Sequence, residues 1–216
     1  MEQKETLPRL PDIVLFGAPG AGKGTQGEHL IEKFGYQKFE MGSMVRSAIK
    51  KETKVGKEAE KYLSKGLLVP DPLVEQILQE EAGDFFGEAP LLFDGFPRTE
   101  SQREMLENLM KSQGRNFEVI ALTAKDKEDE EGLVLRIVER AKASGRTDDQ
   151  NPETIRRRME EFREKTLVLL ENWKKDEKEI HEISAFGDIL EISENIQELV
   201  RSFSQKVEKV IEDGKE

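Results

Sequence analysis

Lys23 lies near the end of a glycine-rich run, Gly17-Ala18-Pro19-Gly20-Ala21-Gly22-Lys23-Gly24-Thr25. The spacing fits the phosphate-binding pattern G-x-x-x-x-G-K-[ST] at every point but one, since Gly24 takes the hydroxyl slot and Thr25 follows it. Such a loop works through its backbone, whose N–H groups surround phosphate oxygens. A helix that begins at the loop adds partial positive charge, and the lysine adds a full one. Glycine is needed where a side chain would block that close approach. A plain strand-to-helix turn would use the glycines but has no need of a lysine at this offset. By itself the loop indicates a nucleotide phosphate and leaves the reaction open.

Arginine placement is the second signal. Arg46, Arg98, Arg136, Arg140, Arg146, Arg156 and Arg158 lie in segments expected to border the same crevice. Guanidinium groups grip phosphate oxygens at two points and stay charged at any relevant pH. Moving a phosphoryl group needs little covalent help from a protein; it needs positioning and positive charge around the migrating group. Arg136 and Arg140 are four apart and share one helix face. Arg156 and Arg158 are two apart, so at most one of them faces the crevice. For any single arginine the alternative is a solvated charge or an ion pair with one of the many glutamates.

Asp94 ends the apolar run Leu91-Leu92-Phe93. An acid there can orient magnesium or its bound waters beside phosphates; the alternative is a turn or helix-cap aspartate. Asp148 and Asp149 could touch ribose, an arginine or metal-bound water, or keep a loop soluble. Gln102, at a helix start, carries an amide that can both donate to and accept from a base edge. His29 and His181 lack metal-ligand neighbours, and Trp173 reads as a core residue at the end of an amphipathic helix.

These residues need a frame. Ile13–Phe16, Leu91–Phe93, Val119–Leu122 and Ile189–Ile192 read as buried strands, with Tyr36–Phe39 a weaker candidate. Longer segments of helical periodicity separate them, which predicts an α/β fold: a P-loop three-layer α/β/α core with a parallel sheet. Ligands of such sheets sit at the carboxyl ends of the strands, so Gly17 and Asp94 should converge on one crevice. Ser43–Gln79 interrupts the alternation with two helical stretches around the joint Lys65–Pro72, a small helical insertion. Ala141–Asp149 reads as a short polar loop. A long charged helix should run from about Pro152 to Lys175, with proline suited to its first turn. The end, Lys206–Glu216, is charged and reads as a fraying helix.

The chain has 216 residues, enough for one main domain with an insertion or two. Hydrophobic residues make up 36% and charged residues 37%, with a net charge of −11. A field of that sign repels nucleic acid, so phosphate must be attracted locally. The absence of cysteine excludes disulfides, zinc ribbons and a thiol nucleophile, and fits a reduced cytoplasmic setting. No apolar run approaches the roughly 20 residues needed to span a bilayer. Met1–Leu10 is polar and charged, without an apolar signal segment.

From about Ile13 to Trp173, with a weaker echo through Gly187–Ser193, the sequence resembles the nucleoside monophosphate kinases and, within them, the adenylate kinases of the short-lid type. Gly17-Ala-Pro-Gly-Ala-Gly-Lys-Gly-Thr-Gln26 is similar to their phosphate loop, Gly24-Thr25 ending included. Gly66-Leu-Leu-Val-Pro-Asp71 resembles their monophosphate-side turn, and Asp94-Gly-Phe-Pro-Arg-Thr99 with Gln102 their central signature. Gly145-Arg-Thr-Asp-Asp149 and Ile155-Arg-Arg-Arg158 resemble their lid end and following helix.

The resemblance implies reversible transfer of a phosphoryl group from ATP to AMP, with Mg2+ and without structural zinc, in a cytoplasmic monomer. It implies one kinase domain over residues 1–216. Its core would be 11–41, 74–140 and 152–216, with a monophosphate-binding segment at 42–73 and a lid at 141–151. Lid closure in this family is a standard example of excluding water from the phosphoryl group. Carried over, Lys23, Arg98, Arg140, Arg146 and Arg158 would act on the migrating group. Gly20, Ala21, Gly22, Lys23, Gly24, Thr25, Arg136 and Arg140 would bind ATP. Gly42, Arg46, Leu68, Val69, Val74, Gly95, Arg98, Gln102, Arg146 and Arg158 would bind AMP, and Asp94 would meet Mg2+ through water.

In place of the family's usual Ser/Thr-Gly-Asp the chain has Met41-Gly42-Ser43, so a hydroxyl that commonly helps hold the monophosphate is missing. Met41 keeps a UMP/CMP kinase or another monophosphate kinase as the alternative, while Gln102 argues for adenine. A guanine-reading switch would want [NT]-K-x-D, which does not occur, and a silent binding module would be expected to lose Arg140, Arg146 and Arg158.

Overall fold

The computed structural model describes residues 10–81, 87–144, 149 and 151–213. Strand β1 (Asp12–Gly17) leads through the glycine loop into α1 (Lys23–Phe34), and β2 (Gln37–Glu40) follows. Helices α2 (Met41–Lys50), α3 (Lys54–Leu63) and α4 (Asp71–Glu81) form the insertion. Then come β3 (Leu91–Asp94), α5 (Glu100–Ser112), β4 (Phe117–Thr123) and α6 (Lys127–Ser144). Helix α7 (Pro152–Glu161) passes through a single π turn (Phe162–Thr166) into α8 (Val168–Lys175). Strand β5 (Ile180–Ser184) and α9 (Ile189–Asp213) complete the order.

The strands make one five-stranded sheet in the order β2-β3-β1-β4-β5, and every pairing is parallel. This is the predicted α/β class. Side chains alternate between faces along each strand, so β1 feeds two cores. Val14 and Phe16 join Phe39, Phe93, Val119 and Trp173 on one side, and the buried residues of α2, α3 and α4 belong to that same core. Ile13 and Leu15 join Leu92, Ile120 and Leu122 on the other, under α1, α6 and α9.

Four expectations change. Ile189–Ile192 is not a strand but the first turn of α9, and the fifth strand is Ile180–Ser184. Four apolar residues in a row suggested a buried strand, but Ile192, Ile196, Val200 and Phe203 recur at helical spacing and are buried, while Ile189 and Leu190 are exposed. As an edge strand β5 is only partly covered, which is why its sequence, Ile-His-Glu-Ile-Ser, lacks a continuous apolar run. The insertion holds three helices rather than two, since α4 starts at Asp71 inside the expected joint. The helix expected over Pro152–Lys175 is interrupted by the π turn. The expected loop at Ala141–Asp149 begins later, because α6 runs to Ser144. Residues 1–9, 145–148, 150 and 214–216 of the expected N-terminal segment, loop and tail lie outside the described residues.

Local chemistry sets the helix starts. Thr99 caps α5 by accepting from Gln102 N, Asn151 caps α7 by accepting from Glu153 N, and Pro152 follows at the first helical position. Two contacts seat the β1 end. Asp12, buried, accepts from Leu91 N at 2.7 Å and pairs with the Arg115 guanidinium, whose Nε reaches Asp12 Oδ2 at 2.6 Å. Arg115 also donates to the carbonyls of Gly87 and Ala89 at 3.0 Å. One buried ion pair thereby ties β1, β3 and the approach to β3 together.

Removing one member of such a pair strands the other charge in the interior. Arg115→Leu is expected to lower stability by about 3–5 kcal/mol, read from the urea unfolding midpoint at constant slope. A loss below about 1 kcal/mol would place this pair with ordinary surface pairs.

Candidate active site

Parallel registry brings the ends of the central strands side by side: Leu15 lies opposite Asp94, and Gly17 opposite Leu122. The cleft above them has a volume of ≈ 820 Å³ and is lined from the glycine loop, α2, the joint before α4, the β3–α5 turn, α6, α7 and the start of α9. Within the loop, Gly20 has φ +84°, and a Cβ there would lie 2.5 Å from the Leu133 carbonyl oxygen, so no side chain fits. Gly95 follows β3 at φ +73°, a left-handed conformation that favours glycine, and packs under the Arg98 guanidinium.

Lys23 is the first residue of α1 and its Nζ donates to the carbonyls of Gly17 at 2.7 Å and Ala18 at 3.0 Å. Burial of the ammonium at the cleft floor lowers its pKa to about 8. Asp94 opposes that shift, and Arg98, Arg158 and Arg140 add to it. Four cations therefore act on one small volume. Asp94 faces the cleft and its carboxylate makes no hydrogen bond among the described residues; Thr99 is the cap of α5, so the cap alternative is not what this aspartate does.

The arginines are held in place by acceptors. Arg140 Nε donates to Asp149 Oδ2 at 2.8 Å, and Arg158 Nη1 donates to Asp149 Oδ1, so one buried carboxylate bridges α6 and α7. Arg98 Nε donates to Gly95 O at 2.8 Å, and the Thr166 hydroxyl in the π turn donates to Arg98 O at 2.9 Å. Arg136 Nη1 donates to Ala185 O at 2.8 Å and lies over the Phe186 ring, 4.5 Å from its centroid. Arg46 Nη2 donates to Glu40 Oε1 at 2.9 Å and to Ser43 Oγ at 3.4 Å. Burial alone would raise the Glu40 carboxyl, but the hydrogen bond and charge of Lys38, with Arg46 and Ser43, bring it below the usual carboxylate range.

Of the expected site residues, Gly20 through Thr25, Gly42, Arg46, Leu68, Val69, Val74, Asp94, Gly95, Arg98, Gln102, Arg136, Arg140 and Arg158 all line this one cleft. Arg146 lies outside the described residues, as does Asp148. Arg156 is exposed and Arg158 half-buried in the cleft, which is the division that their two-residue spacing required. His29 meets Ser193 Oγ at 2.8 Å behind the loop, and His181 packs on Phe203 at the far edge of the sheet. Trp173 is core, against Phe16 and Phe117. Met41 is buried in the core and also borders the cleft.

Sequence reasoning left Asp149 among several roles and gave none to Glu40 or Glu161. Glu161 Oε2 accepts from Leu68 N at 3.3 Å and thereby fixes the joint of the insertion to α7. The only sequence signal for such braces is an acid near arginines, and a chain this rich in glutamate hides it. The Asp94 carboxylate at the cleft floor suits magnesium, which keeps several waters and takes its other oxygens from phosphates.

The family model described as adenylate kinase matches residues 15–178. The adenylate kinase of Flavobacterium psychrophilum is 42% identical over 191 residues, covering 88% of this chain and 98% of that protein. That of Bacteroides thetaiotaomicron is 40% identical over 189 residues, covering 88% and 97%. That of Porphyromonas gingivalis is 34% identical over 192 residues, covering 89% and 96%.

A lysine whose pKa falls to about 8 in the ligand-free cleft should recover its proton when a polyphosphate binds, since the anion favours the ammonium. Triphosphate binding at pH 8.5 is therefore expected to take up protons, and affinity should fall as pH rises beyond 8. Calorimetry in two buffers of different ionisation enthalpy measures the uptake directly, and equal apparent enthalpies would contradict it.

Proposed function

This chain belongs to the adenylate kinase family, and from that premise we propose how its own residues divide the work. The reaction is reversible phosphoryl transfer between ATP and AMP, giving two ADP. The observation that carries the assignment of residues is the convergence of Lys23, Asp94, Arg98, Arg140 and Arg158 on one cleft. Transfer of this kind is catalysed by holding two phosphates in line and stabilising the charge that spreads over the migrating group.

The loop amides from Gly20 to Thr25 and the Lys23 ammonium hold the donor phosphates at the start of α1. Arg136, spread over Phe186, offers a flat cation to the donor base. On the other side Arg98 and Arg46 take the acceptor phosphate, with Gly42 and Gly95 giving it close approach. Leu68, Val69 and Val74 line the acceptor base, and the Gln102 amide meets its edge. Arg140 and Arg158 act on the migrating group between the two sides, and the sequence resemblance adds Arg146 to them. The acceptor phosphate oxygen is already a nucleophile, so no side chain need act as a strong base.

Asp94 is the residue that would hold magnesium, through water, beside the donor phosphates. The ion, when bound, neutralises charge on them. The segments 42–73 and 141–151 are the parts that would close over the substrates, shutting out water that would otherwise take the phosphoryl group. We read the protein as a cytoplasmic monomer; the absence of cysteine fits a reduced compartment, and a net charge of −11 disfavours a nucleic-acid partner. No helix among the described residues is long and apolar enough to cross a membrane.

A coupled assay of ATP against AMP, UMP, CMP, GMP and dAMP tests the acceptor. Strong turnover with UMP and none with AMP would sink the AMP assignment. Lys23→Met is expected to lower kcat by about 10³-fold or more. Arg98→Ala is expected to raise the KM for AMP about tenfold while the KM for ATP changes little. An unchanged KM for AMP would remove Arg98 from the acceptor site.

A further inference from the structure

Asp71 does not line the cleft. It is the first residue of α4, yet its carboxylate engages α5. Asp71 Oδ1 accepts from Gln102 Nε2 at 2.7 Å, and both Asp71 oxygens accept from Thr99 Oγ1 at 3.0 Å. The other end of the same amide, Gln102 Oε1, accepts from Arg98 N at 2.8 Å. Gln102 is 2% exposed and borders the cleft.

A side-chain amide can be turned over, exchanging its oxygen and nitrogen, unless its neighbours demand one order. Here they do. Reversal would set Gln102 Nε2 against the Arg98 N–H and Oε1 against the Asp71 carboxylate, replacing two hydrogen bonds with two repulsions. Each bond also uses only part of the amide's capacity. One N–H of Nε2 and one lone pair of Oε1 remain for a ligand.

We propose that Asp71 is a positioning residue that fixes which end of the Gln102 amide donates, and that the acceptor site thereby selects a 6-aminopurine over a 6-oxopurine. This rests on the reading that Gln102 meets the acceptor base. A 6-aminopurine offers an acceptor at N1 and a donor on the exocyclic nitrogen. A 6-oxopurine offers the reverse at nearly the same shape, so only polarity can separate them. An amide free to turn over would satisfy either base. An amide held by a carboxylate at one end and a backbone N–H at the other satisfies one and leaves buried groups unmatched with the other.

The test assays AMP and IMP as acceptors, with ATP as donor, on wild type, Asp71→Ala and Gln102→Ala. Where IMP turnover is below detection, IMP is measured as a competitive inhibitor against AMP. Asp71→Ala is expected to lower the ratio of kcat/KM for AMP to that for IMP by about tenfold. The change should come through a raised KM for AMP and a lowered one for IMP, with the KM for ATP unchanged. Both acceptors are read on one preparation, so the ratio does not depend on how much of the variant is folded, and a purely structural role for Asp71 would leave it unmoved. An unchanged ratio in Asp71→Ala beside a lowered one in Gln102→Ala overturns the proposal and leaves the site reading intact. An unchanged ratio in Gln102→Ala overturns the site reading itself.

Discussion

Repulsion among like charges is the constraint around which the cleft is built. Lys23, Arg98, Arg140 and Arg158 all act on the same volume, and burial adds a desolvation cost to the lysine. The fold offsets this with acceptors that do not neutralise the group as a whole. Two backbone carbonyls receive the Lys23 ammonium, the Gly95 carbonyl receives Arg98, and the single Asp149 carboxylate is shared by Arg140 and Arg158. The cations are thus oriented before any ligand arrives and remain in excess. Orientation in advance is what makes such charges effective in a transition state, because little reorganisation is left to do.

That arrangement needs several chain segments to end at one place. The parallel sheet supplies it, since β1 and β3 are neighbours and both finish at the cleft. The buried Asp12–Arg115 pair at the opposite end of β1 fixes how β1 and β3 lie together. The π turn between α7 and α8 belongs to the same requirement. It presents Thr166 to the Arg98 carbonyl and Phe162 to Phe16, so the helix carrying Arg158 is tied to the turn carrying Arg98.

What the sequence disclosed follows from how each feature is made. The glycine loop was legible because a backbone cradle demands glycine at fixed offsets, and φ +84° at Gly20 is a demand no other residue meets comfortably. The central strands were legible because both their faces are covered. Strand β5 was not, since an edge strand with one partner and partial cover needs no apolar run. The first turn of α9 misled for the converse reason, having exposed apolar residues at Ile189 and Leu190 beside the cleft. The braces were invisible because their partners are remote in sequence: Asp71 with Gln102, Glu161 with Leu68, Asp12 with Arg115.

The two halves of the cleft therefore differ in kind. The half proposed for the donor is made largely of backbone, and backbone recognises phosphate whatever base is attached. The half proposed for the acceptor is made of side chains that hold one another: Glu40 on Arg46, Asp71 and the Arg98 amide on Gln102, Glu161 on the joint at Leu68. Substituting Met41-Gly42-Ser43 into that half removes one hydroxyl, but Ser43 returns a hydroxyl one turn from Arg46 and Met41 fills the core beneath. Glu40 holds Arg46, so on the proposed division a phosphate that takes this arginine must compete with a carboxylate for it. On the proposed division of the site, selectivity for the acceptor is therefore set by the strength of these side-chain braces rather than by the loop that marks the family.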